Sequence, residues 1–520
     1  MSPLPWHRIA SRPVTVWMLL FLIAGLTHTL IPGYRWVLIH LFTLGVVGNS
    51  IVLWSQTLTG RFLRLETAWR PLVARLGVFN LGVVLTVLGQ LFAALPVTHT
   101  GVAVLTAALV WHAATLARAW WRGAGPHRPI VAGYVVSALF LPVGGVLGAL
   151  LAGGATDALL AAHLVATLLG FVGIAAAASL TILFPAIWRV NGTAPFAPML
   201  VALTLGTVTA IVVTLLDATL LPAPLLLYTA GWLIGAVHWL RQVAEVFRAP
   251  RDRITYASLS VLAAILWLLG SLFALATGAR PVLPLLIGFA AQLLLGVMSH
   301  QLPAAMRGGP GAVRAGAREM DRAGLFRVTL VNGGLAIWLL GSDSWLRVAA
   351  SVLCLGALAV FLPLMRRASR AQGAVIRKQA PAPPRPTDPR PAWNQVTAAL
   401  AVLALLLAAF GGLAGPAAAP RTVAGTGTEQ VSEVEVRAVG YRFEPAVIDV
   451  PAGHRVLLHL RNDDPELDHD LLLDSGVDSG RLAPGDSATL DLGVVTADLT
   501  GRCTIAGHHA QGMVFAVRVS

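Results

Sequence analysis

Cysteine is almost absent, with only Cys354 and Cys503 in 520 residues. Charge is scarce too, at 12% of the chain against 56% hydrophobic residues, which excludes a soluble enzyme. Cys354 falls in an apolar run, where a thiol is a small packing residue. Cys503 lies in a polar loop, so no disulfide between the two is expected. Acidic residues are rarest early: residues 1–419 hold 9 against 29 Lys+Arg, whereas 420–520 hold 15 against 8. The net charge of +13 therefore averages two unlike parts, and its basic excess belongs to loops, which excludes a nucleic-acid partner. The chain also lacks a phosphate-cradling glycine loop, a catalytic triad and a paired-carboxylate site. No catalytic residue can be named.

What the chain has in abundance is apolar length. Runs of roughly 20 residues, enough to cross a bilayer, lie near 13–31, 36–57, 71–94, 101–120, 129–152 and 158–188. They continue near 196–216, 222–247, 254–277, 281–303, 325–341 and 345–365. The first follows a short basic lead and has no small-residue cleavage motif, so it reads as a span rather than a signal peptide. Residues 1–365 are thus expected to form an all-α polytopic bundle of about twelve helices. A linker rich in proline and arginine follows at 366–391, then a thirteenth span at 392–415. Arginines crowd alternate loops (Arg61, Arg64 and Arg70; Arg118, Arg122 and Arg128; Arg241, Arg248, Arg251 and Arg253; Arg307, Arg314, Arg318, Arg322 and Arg327). The opposite loops hold only Arg35, Arg280 and Arg347. This asymmetry places the N-terminus in the cytoplasm. Thirteen crossings then put 420–520 outside, as expected of a multi-pass protein of a bacterial inner membrane.

The last hundred residues follow another pattern. Short β-branched and aliphatic runs, such as 434–439 and 456–460, are separated by turn signals including Pro451-Ala452-Gly453 and Pro484-Gly485-Asp486. That spacing predicts a β-sandwich. Near the end, Cys503, His508 and Met513 stand five residues apart on one loop, and His469 in Asp468-His469-Asp470 offers a second imidazole. A thiolate with two imidazoles and a weak thioether selects copper for electron transfer. His509 rivals His508, while His454 and His459 read as strand residues.

These segments resemble a cupredoxin: Phe443-Glu444-Pro445, Ile448 to Gly453, Val456 to Asn462, His469-Asp470-Leu471 and the terminal loop. The resemblance covers about 420–520 and implies an all-β Greek-key sandwich with type 1 copper. It further implies His469 and His508 as imidazole ligands, Cys503 as thiolate and Met513 as the axial ligand, with Gly507 favouring His508. Gly501-Arg502 departs from the aromatic that cupredoxins often carry before the cysteine. A single cysteine excludes a dinuclear centre bridged by two thiolates. The order of membrane helices followed by such a domain is also similar to the N-terminal part of bacterial membrane-bound copper nitrite reductases and multicopper oxidases.

Within the spans, histidines are the informative residues, because burying an ionisable group in a bilayer is costly. They fall at His28, His40, His112, His163, His238 and His300. His40-Leu41 and His163-Leu164 each open a helix that continues through glycines (Gly45 and Gly48; Gly170 and Gly173), and a similar run spans 288–303. Twelve helices in three sets of four resemble the catalytic subunit of haem–copper oxidases and the haem-containing membrane proteins of nitric oxide response. That superfamily's adjacent histidines in helix seven are missing, so no oxygen-reducing centre is expected. What the resemblance leaves is a b-type haem between two imidazoles, with His40 and His163 first and His28 and His112 as further candidates. Arg35 or Arg280 is expected to meet the propionates.

The resulting expectation is a membrane-anchored redox protein whose partners are a membrane haem, a quinol or an external redox protein, in respiratory or nitrogen-oxide metabolism. The rival is a copper transporter with an outer capture domain. Its ion path would need Met, Cys or His stepping through the bilayer, and the chain has only 8 Met.

Overall fold

The structure, a computed structural model, describes residues 6–154, 156–248, 253–341, 344–384, 400 and 430–520. Among these, twelve helices are long and apolar enough to cross a membrane. They are α1 (Ile9–Leu26), α2 (Tyr34–Phe62), α3 (Trp69–Leu91), α4 (Leu95–Arg122), α5 (Arg128–Gly153) and α6 (Asp157–Trp188). The rest are α7 (Phe196–Leu216), α8 (Pro222–Arg248), α9 (Tyr256–Ala276), α10 (Pro284–Met306), α11 (Gly309–Leu340) and α12 (Trp345–Ile376). The expected thirteenth span at 392–415 lies outside the described residues apart from Leu400, as does the linker beyond 384.

The early linker is helix, not coil, because α12 runs on to Ile376. Arginine is a good helix former, and here the side chains also find partners. Arg367 Nε reaches Glu319 Oε2 at 2.9 Å, and Gln372 Nε2 donates to the carbonyls of Pro303 and Arg307. The prolines that end the helical tendency come later, at Pro381, Pro383 and Pro384.

The chain divides into two compact units, residues 1–335 with 354–400, and 336–353 with 401–520. In the first, close approach of helices depends on glycine. A Cβ added at Gly101 of α4 would sit 2.4 Å from the backbone nitrogen of Thr86 on α3. One added at Gly89 of α3 would sit 2.4 Å from that of Thr98 on α4. Helices in lipid gain by this intimacy, since water no longer drives them together.

Three helices carry a π-helical stretch: Leu41–Gly48 in α2, Val165–Gly173 in α6 and Pro284–Ala291 in α10. Such wide turns are rare and often accompany functional sites. Each stretch presents a glycine to an aromatic ring of the preceding helix: Gly45 to Trp17, Gly170 to Phe140 and Gly288 to Trp267. In the first set Trp17 Nε1 donates to Asn80 Oδ1 at 2.6 Å, and Asn49 bonds the same asparagine. The third set repeats this with Trp267, Asn332 and Gln292. The middle set has Phe140 and Ile174 at the corresponding places, so it needs no amide. The glycine-on-ring packing thus occurs three times, with the polar network present in the first and third copies.

In the second unit, residues 430–520 fold into two four-stranded sheets, ordered β2-β1-β4-β6 and β3-β8-β7-β5. The strands are β1 (Val431–Val439), β2 (Arg442–Glu444), β3 (Val447–Val450), β4 (Arg455–Asn462), β5 (Leu472–Leu473), β6 (Ser487–Val494), β7 (Leu499–Arg502) and β8 (Val514–Val519). Alternation decides the faces. In β4, Val456, Leu458, Leu460 and Asn462 are buried while their neighbours point outward. β1 runs parallel to β4 with Val436 opposite Leu460, and β7 runs antiparallel to β8 with Arg502 opposite Val514. The core joins Phe443, Phe515 and the strand aliphatics to Cys503 and Met513.

Candidate metal centre

The link from β7 to β8 is the loop that sequence analysis singled out. Cys503 directly follows β7 and Met513 directly precedes β8, so the paired strands fix both ends. The Cys503 amide donates to the Met513 carbonyl at 3.2 Å, and the Met513 amide donates to the His508 carbonyl at 3.1 Å. Between them the chain makes a single turn at His509–Gln511. Gly507 and Gly512 have φ of +91° and +89°, a region open to glycine and strained for other residues. That turn buries His508 and leaves His509 exposed.

His469 arrives from the connection after β4. Its backbone pairs with Leu482 in both directions, at 3.0 and 2.7 Å. The ligand atoms of His469, Cys503 and His508 all lie within 4.8 Å of one another. Cys503 Sγ is 3.5 Å from His508 Nδ1, and the two imidazole centroids are 5.0 Å apart. His469, Cys503 and Met513 are each 0% exposed and His508 is 6% exposed. Among the described residues, neither ring nitrogen of His469 has a hydrogen-bond partner. A buried polar atom left unpaired costs about 1–3 kcal/mol, and a metal ion accepting its lone pair removes that cost. A thiolate with two imidazoles, and a thioether buried in the same core, is a donor set that suits copper.

Two aspartates that sequence analysis did not assign hold this arrangement. Asp470 accepts from the Thr504 amide and hydroxyl, 2.5 Å each, tying the start of the ligand loop to the His469 segment. Asp464 Oδ2 stands 3.8 Å from His469 Nε2, too long for a hydrogen bond, and its carboxylate accepts from the amides of Gly440, Glu466 and Leu467, which fixes the chain leading to His469. Burial alone would raise the pKa of Asp464, yet amides of Glu466, Leu467 and Gly440 hold it below the usual carboxylate range. The readable signal for Asp470 was its place beside His469.

The histidines proposed for haem separate into a pair and two outliers. His40 and His163 come together with ring centroids 6.3 Å apart. His40 Nδ1 bonds the Trp36 carbonyl and His163 Nδ1 bonds the Gly144 carbonyl, both at 2.8 Å. With Nδ1 engaged, Nε2 is the atom left to ligate. The Trp36 ring stacks on His40 at 3.8 Å, and a Cβ at Gly148 would sit 3.1 Å from the His163 ring, so both rings are tightly seated. His28 instead bonds the Gly25 carbonyl beside Tyr34, and buried His112 bonds Ser55. Arg280, expected at a propionate, pairs with Asp157 at 3.0 Å.

No family model and no curated protein matches this chain. Solved structures that resemble a small part of it include three auracyanins. The dithionite-reduced auracyanin of Roseiflexus castenholzii is 16% identical, covering 17% of this chain and 96% of its own, with a TM-score of 0.16. Auracyanin B is 21% identical over 18% of this chain and 93% of its own, with a TM-score of 0.17. Auracyanin A, described as a "blue" copper protein from Chloroflexus aurantiacus, is 15% identical over 17% of this chain and 99% of its own, with a TM-score of 0.16.

The electrostatics of the cluster set how a metal is taken up. Burial pushes the Cys503 thiol up to about 12 and, with His469 alongside, lowers His508 to about 4. Burial also lowers His469. At pH 7 both imidazoles are therefore neutral and the thiol keeps its proton, so binding displaces one proton per metal ion. Titrating copper-free protein with Cu(I) in weakly buffered solution should release one proton per ion, read with a pH dye. The apparent affinity should rise about tenfold per pH unit around neutrality. Release of none or of two would show the protonation states to be otherwise.

Proposed function

We propose that this chain is a membrane-anchored redox protein whose outward-facing type 1 copper site transfers single electrons. One observation carries the reading: His469, Cys503 and His508 converge in a dry site with the His469 nitrogens unpaired among the described residues. His469, Cys503 and His508 would hold the ion, with Met513 as weak axial ligand. Bound there, copper would supply a one-electron couple between Cu(II) and Cu(I). The chain's part is rigidity. The strand-anchored loop, the Asp470–Thr504 tie and the exclusion of water keep the ligands in place through the change of charge. With four protein ligands no position remains for a substrate, so the domain is a carrier.

The loop arginines support placing 420–520 outside a bacterial inner membrane, after spans in 1–365 and 392–415. The His40–His163 pair supports a b-type haem as exchange partner within the bundle, and respiratory or nitrogen-oxide metabolism is the setting this would serve. Copper and iron counted on one sample of purified full-length protein, with oxidised and reduced spectra, test both parts. His163→Ala should reduce iron to background and leave copper unchanged. Equal iron in that variant would remove the haem assignment and leave the copper site standing.

A further inference from the structure

Within the first unit, α2, α5, α6 and α10 line a partly open, largely apolar space. Ligand pockets are mostly apolar with a few convergent polar groups. Here the apolar wall includes Trp54, Val172 and Met298. Three polar groups interrupt it. Ser55 Oγ shares a hydrogen bond with His112 Nε2 at 2.9 Å, and the His112 Nδ1 behind it is buried without a partner. Tyr134 and Ser179 share another through their hydroxyls at 3.0 Å. Gln301, 5% exposed, brings its amide to the same lining.

These groups have a common property. The Gln301 amide, the Ser55–His112 couple and the Tyr134–Ser179 couple can each either donate or accept. No charged side chain lines the space, which disfavours a phosphate headgroup or an ion. A neutral ring whose oxygens accept in one redox state and donate in the other matches such walls. We propose that this pocket binds the headgroup of a membrane quinone and its quinol. The idea rests on the redox reading above, to which it adds a lipid-soluble electron donor.

The test is calorimetric titration of full-length protein in detergent with a ubiquinone analogue bearing a decyl tail. Saturable binding at one site per chain is expected, weakened about tenfold by Gln301→Leu, the loss of one buried hydrogen bond. Ser179→Phe, which fills the space, should abolish binding while the protein keeps its native elution profile. Unsaturable partitioning, or equal affinity in both variants, would overturn the proposal. So would a co-purified phospholipid that the quinone fails to displace. Copper-free Cys503→Ser protein should bind the quinone unchanged, so a missing copper signal and a missing quinone site are separate outcomes.

Discussion

Cys503→Ser should abolish the visible thiolate-to-copper band of the full-length protein. Copper affinity should fall by more than the roughly 10–100-fold that outer-shell substitutions cost. The effect is total because no other thiol is available: Cys354 is buried in the helical unit, and Cys503 alone joins the imidazole pair. A serine hydroxyl is nearly the same size but hard and neutral, so the imidazoles would be left without their soft anionic partner. The fold should survive, since the Cys503 amide still donates to Met513 and Phe443 still packs on Phe515. Thermal unfolding without copper should therefore match the parent protein, while spectra and copper content diverge. His509→Ala should leave the band intact because that ring is exposed. A persistent band in Cys503→Ser would refute the ligand assignment.

Gly101→Val should have the largest effect on the helical unit, preventing recovery of monodisperse protein or destabilising it by about 3 kcal/mol or more. The first added carbon would lie 2.4 Å from the Thr86 nitrogen and 2.9 Å from the Gly82 carbonyl oxygen. Both are backbone atoms, and no rotamer change can move them. α3 and α4 would have to separate, breaking the packing that Gly82 and Gly89 also create from the other side. Gly270→Ala in α9 is the contrasting case, because nothing lies within 4 Å of the added carbon. It should be neutral, or stabilising by up to about 1 kcal/mol through helix propensity. Comparable losses in the two variants would show that general glycine flexibility, rather than close approach, governs the bundle.

The spans were legible because a bilayer imposes a length, and the β-unit's strands because burial alternates with a period of two. Cys503 and His508 could be paired by spacing, and His469 by the residues around it. Other features were beyond the sequence because they depend on distant partners. Trp17 meets Asn80 only after helices pack, and nothing local distinguishes it from other indoles. His508 and His509 are adjacent and identical in type, and only the turn after Gly507 decides which is buried. The helix continuing past 365 was obscured by arginines that read as linker until Arg367 finds Glu319. His40 and His163 could each be noticed, but their 6.3 Å separation comes from the meeting of α2 and α6.

The three π-helical stretches have a consequence for phase. Each divides its helix into an upper and a lower half, and a residue gained or lost there turns one half about 100° against the other. On α2 the divide falls between His40 and Ser55, and on α6 between His163 and Ser179, while on α10 it precedes Gln301. On α2 and α6 the histidines and the serines of the pocket thus sit on opposite sides of the same wide turns. A single-residue deletion inside one stretch would leave every side chain of both sites in the sequence, yet rotate one site out of alignment with the other.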